Sequence, residues 1–148
     1  MKNRKETGMT SIVKTITKFT CPLIILFGIY MVLHGHLSPG GGFPGGVIIA
    51  SAFILLTISF GKETAFQKLK NSTAAVLESL GALIFLVIAL LGMIVGGWFF
   101  VNVLPKGIPL TITSAGFIPF SNIAIALKVS GGIFGVFIVM VMFRLKEK

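Results

Sequence analysis

Few side chains in the long apolar runs of this sequence can hold a charge or pass a proton. Lys128 is the first of them, about seven residues, or roughly 10 Å, inside the last apolar run. An ammonium at that depth must be paired, hydrated or neutral. Three uses follow: a step on an ion or proton pathway, an ion pair with a neighbouring chain, or a long stem that snorkels toward the surface. Glu78 stands about one turn into the third apolar run, after Asn71, Ser72 and Thr73, which read as helix-capping residues. A carboxylate near a helix N-terminus is favoured by the helix dipole, so a structural role outweighs a proton relay there. His34 and His36 close the first run, and the H-x-H spacing puts them on different faces of a helix, against a shared metal. His36 has the chemistry to titrate or to bond loop carbonyls. No metal site and no cofactor are expected.

The segment that carries His36, HGHLSPGGGFPGG from His34 to Gly46, is dense in glycine and proline. Pro39 and Pro44 remove backbone donors, and the glycines permit positive φ and close backbone approach. A literal G-x-G-x-x-G lies at Gly40, Gly42 and Gly45, with Glu63 near the distance of a ribose-binding acid. A dinucleotide site needs a preceding strand and a soluble βαβ unit, and here the flanks are apolar spans.

These groups must be positioned by membrane helices. Of 148 residues 55% are hydrophobic and 11% charged, against about a quarter charged in an ordinary soluble domain. The formal net charge of +9 does not mark a nucleic-acid binder, because Lys and Arg gather in short segments between apolar runs. The lone Cys21 excludes an intrachain disulfide and reads as a small packing residue.

The reading is all-α and polytopic, a single domain over residues 1–148 with four transmembrane helices. A basic amphipathic stretch over 10–18 lies at the headgroups. The spans are placed at 19–35, 45–61, 74–103 and 119–143, with the glycine-proline loop over 34–46 and a second loop over 104–118. The second span is short, its apolar run of about 24 Å falling below the ~30 Å hydrocarbon core, so part of the preceding loop is expected to enter the membrane as irregular backbone. Lys and Arg cluster in the N-terminal segment, over 62–70 and in the tail, while the other two loops hold only Lys106. Both termini are therefore expected in the cytoplasm, in a multi-pass protein of the cell membrane. Gly92 with Gly96, and Gly131 with Gly135, each form a G-x-x-x-G that lets helices approach. Trp98 fits an interfacial anchor.

The stretch GHLSPGGGFPGGVIIASAFIL, Gly35 to Leu55, resembles the signature of the B subunit of Mrp-type cation/proton antiporters, the MnhB family. The same module recurs in membrane-bound hydrogenases and related archaeal respiratory complexes. The core of the resemblance is Gly35, His36, Pro39, Gly40, Gly41, Gly42, Phe43, Gly45 and Gly46, supported by chain length and the number of spans. It implies a non-catalytic subunit packed beside other small Mrp-type subunits and large antiporter-like subunits, in a machine exchanging sodium ions for protons. Lys128 stands where antiporter members commonly carry an acidic residue, which leans the assignment toward the respiratory branch. A self-assembling channel or small transporter is the alternative, and it has few polar residues with which to line a pore: Thr57, Ser59, Ser79, Lys128 and Ser130. A membrane enzyme built on the two histidines lacks a nucleophile and metal ligands.

Overall fold

The computed structural model describes residues 8–61, 71–111 and 114–146. Lys2, Arg4, Lys5, Lys62, Glu63, Lys68, Lys70 and Lys148, on which part of the charge count rests, lie outside the described residues. Four helices make up the described fold: α1 Ser11–Leu33, α2 Gly42–Phe60, α3 Asn71–Gly96 and α4 Ile118–Lys146. Each is long and apolar enough to cross a membrane. The protein is an all-α, multi-pass membrane protein.

The helix bounds shift the expected ones in instructive ways. The amphipathic stretch and the first span are one continuous helix, because nothing in Ser11–Lys18 breaks it; Pro22, further along, is accommodated inside α1. That helix stops at Leu33, short of His34 and Gly35, with the His34 N–H still bonded to the Tyr30 carbonyl. Irregular backbone is confined to 34–41, because α2 begins at Gly42 rather than Gly45. Pro44 is tolerated in its first turn, where a missing N–H has no intrahelical acceptor to lose. With 19 residues α2 reaches roughly 28 Å, close to the hydrocarbon thickness. The third helix ends at Gly96, so 97–103 are not part of the span; they fold back, with Phe100 N–H donating to the Ala89 carbonyl. Trp98 is in this exposed return segment, just past the helix.

The four helices alternate in direction and pack in the order α1, α2, α4, α3, so α2 and α4 are central and α3 is an edge helix. In the most apolar 18-residue stretch of each span only 22% to 33% of residues are buried within the chain, which leaves broad apolar faces for lipid or other proteins. Between α1 and α2 the Thr17 and Ser59 hydroxyls share a buried hydrogen bond of 2.7 Å, and the Cys21 thiol donates to the Ala52 carbonyl at 3.3 Å. Such polar contacts act as modest glue where lipid is no competitor for apolar packing.

Candidate functional site

Glycines decide how close these helices come. A Cβ on Gly81 of α3 would stand 2.6 Å from the Ala124 carbonyl and 2.6 Å from Lys128 N of α4. One on Gly131 of α4 would stand 2.7 Å from the Ala74 carbonyl and 2.9 Å from Glu78 N of α3. The two backbones therefore touch on either side of Glu78 and Lys128. The result is an ion pair within one chain, Lys128 Nζ 3.8 Å from Glu78 Oε1.

This placement corrects two expectations. Glu78 lies about two turns inside α3, since the helix starts at Asn71, and the helix-terminus field has faded by that depth. Its partner is Lys128 instead. Lys128 in turn lies ten residues past Ile118, roughly 15 Å into α4, and a carboxylate of its own chain stands beside it. The side chains are 52% and 47% exposed, Lys128 and Glu78 respectively, and both open onto a groove of about 420 Å³. At 3.8 Å the charges attract, but the gap exceeds a hydrogen bond. A carboxylate and an ammonium so arranged can exchange a proton through a bridging water, and the carboxylate can take another cation only in place of the ammonium.

A second constellation closes the end of the bundle where 34–41 meets the described residues of the second loop, 97–111 and 114–117. His36 Nε2 lies 3.2 Å from the Thr111 carbonyl and so ties the two loops together. His34 stacks on Tyr30 of α1, with ring centroids 4.2 Å apart. Gly41, the residue before α2, has φ 132° and ψ −172°, a region open essentially only to glycine. Its N–H donates to the Met31 carbonyl, turning the chain back onto α1, and the Gly42 N–H donates to Asn122 Oδ1 of α4.

The motif glycines then sort by face. Gly42 and Gly46 press on α4, where a Cβ would meet Ile125 at 2.8 Å and the Ala126 carbonyl at 2.9 Å respectively. Gly45 presses on α1, 2.9 Å from the Gly28 carbonyl by the same measure, and a Cβ on Gly35 would run into Gly41 and Asn122. Gly40 faces Met31. Pro39 stays in the loop, and Phe43 projects outward from the first turn of α2.

The two expected G-x-x-x-G pairs fare differently. Gly92 and Gly96 lie against Val101 of the return segment rather than a second helix, and a Cβ on Gly135 would meet nothing outside its own helix backbone within 4 Å in this chain. The helix-contacting pair of α4 is completed by Gly81 on α3. Sequence reasoning missed Gly81, Gly28, Asn102 and Asn122. Asn102 holds the second loop, donating to the Ala115 carbonyl and accepting from Leu104 and Phe117 N–H groups. The available signal was a lone amide in an apolar setting, which must find partners.

Residues 12–135 match the family described as a domain related to the MnhB subunit of Na+/H+ antiporter. The chain belongs to the MnhB family. An uncharacterized protein of Methanocaldococcus jannaschii is 39% identical over 132 residues, covering 84% of this chain and 49% of that protein. A Staphylococcus aureus protein named as antiporter subunit mnhB2 is 36% identical over 85 residues, 57% of this chain and 60% of that one. A solved structure, of the membrane-bound sulfane sulfur reductase, an archaeal respiratory membrane complex, contains a chain with TM-score 0.67 and 28% identity. The likeness covers 90% of this chain and 61% of that one. This MnhB chain thus spans about half to three fifths of the length of these relatives.

Proposed function

We propose that this chain is a small non-catalytic membrane subunit of a multisubunit cation- and proton-translocating complex, either an Mrp-type Na+/H+ antiporter or a respiratory complex that contains such a module. The observation that carries the reading is the Glu78–Lys128 pair, half-exposed inside the spans of a family whose description names an antiporter. Charges in hydrocarbon are retained where they serve a pathway or an interface. The partners are other small Mrp-type subunits and large antiporter-like subunits, and the transported species are sodium ions and protons. Lys128 and Glu78 stand on the ion or proton path, with His36 at its loop end.

Extraction of native membranes in mild detergent is expected to recover the chain with several other hydrophobic polypeptides. A homo-oligomer that conducts ions after reconstitution would overturn the subunit reading and establish the channel.

In orientation, both termini and 62–70 face the cytoplasm and the His36 end faces outward, on the strength of the Lys and Arg count. Cysteine at the exposed Lys106 is expected to react with an impermeant thiol reagent added outside intact cells, and cysteine at Thr64 only after lysis. Ser114 in the same loop is 6% exposed and would report poorly. Native Cys21, buried between helices, adds no background. The reverse labelling pattern would invert the topology.

A further inference from the structure

The groove beside the ion pair runs along α4 between α2 and α3, walled by Phe43, Glu78, Lys128, Val129, Gly132 and Val136. Lys128, Gly132 and Val136 recur every four residues, so its floor follows one stripe of α4 for about two turns, roughly 12 Å. The lining is apolar except for the two charges, and all of it lies within the spans.

Charge decides among occupants. With no hydrogen bond joining the pair, the ammonium's donors and the carboxylate's acceptors open onto the groove. An acyl chain satisfies none of them. A two-fold dimer packed through this stripe would bring only a second Lys128 and Glu78, so every group it supplied would come with an equal set to be satisfied. A helix from a different chain can instead bring a complementary group. Gly132 keeps the floor low enough for close approach, and Val136, 64% exposed, offers apolar surface.

We infer that this groove seats a transmembrane helix of a different subunit, one that presents a hydrogen-bonding or ionisable side chain at the depth of Glu78 and Lys128. The inference rests on the subunit reading proposed above and adds the docking surface and the chemistry of the docked span.

The test is a benzophenone amino acid at Val136, photolysed in native membranes with the complex intact, followed by mass-spectrometric sequencing of the adduct. The expected adduct is a peptide from an apolar span of another polypeptide, with a polar or ionisable residue within about two turns of the crosslinked position. Val136→Trp, which fills the groove but points away from its own fold, is expected to cut recovery of that polypeptide at least fivefold; Leu23→Trp on exposed α1 should leave it unchanged. An adduct with lipid alone, with a second copy of this chain, or with a span free of polar residues overturns the docking inference while an intact hetero-complex upholds the subunit reading. A chain that purifies alone overturns both.

Discussion

Lys128→Met and Glu78→Gln are each expected to lower cation-dependent proton movement by the reconstituted complex at least tenfold, and the double variant is expected not to recover it. Methionine keeps the length and apolar bulk of lysine, so the change removes charge with little loss of packing. Each single variant leaves one charge unpaired in the span, at a cost of about 3 kcal/mol on insertion-based scales, or roughly a hundredfold in an equilibrium. Both should therefore also reduce the amount of chain in the membrane. The double variant has no orphan charge, so its level should return to that of the unmodified protein. Transport should stay low, because the pair itself is gone. The measurement is proton uptake into vesicles driven by a sodium gradient, normalised to the complex present. Recovery of transport along with level in the double variant would make the pair structural and remove it from the pathway.

The other large effect is expected from one added methyl group. Gly42→Ala puts a Cβ against the backbone of Asn122 and 2.8 Å from Ile125 Cβ, so α2 must move off α4. Backbone has no rotamer with which to give way, and overpacking of this kind costs about 1–3 kcal/mol. Gly41→Ala forces a side chain onto φ 132°, ψ −172°, again at about 1–3 kcal/mol. Gly135→Ala is chemically the same change at a position where a Cβ meets nothing outside its own helix backbone within 4 Å, in a helix interior where alanine is the better former. Gly41→Ala and Gly42→Ala should thus lower the melting temperature in detergent and release partner subunits, whereas Gly135→Ala should do neither. Equal stability of Gly42→Ala and Gly135→Ala would show that close α2–α4 approach does not hold this fold together.

These two experiments divide along what a linear sequence can express. Four membrane helices were legible because hydropathy is a local sum: apolar runs of spanning length announce themselves wherever their neighbours end up. The glycine-proline segment was legible as a place of unusual backbone, and Gly41 is that place. Its extent was overestimated, because proline was read as a helix breaker at Pro44, where a first-turn position makes it harmless. Likewise Trp98 and 97–103 were counted into the third span, since hydropathy does not register the turn after Gly96 by which Val101 comes back to cover Gly92.

What the sequence by itself determined is therefore the solvent, the number of spans, the residues too polar to be in them without a reason, and the family motif. Tertiary structure decided who meets whom. Glu78 and Lys128 were each visible as isolated anomalies, and nothing local links them, because their encounter depends on the rotation and register of two antiparallel helices. That register is set by Gly81 and Gly131, where missing side chains let backbones touch, and a glycine's contact partner is written on the opposite helix rather than beside it. For the same reason Gly131 and Gly135 share one spacing and have different fates: one abuts the Ala74 carbonyl, and the other faces open space.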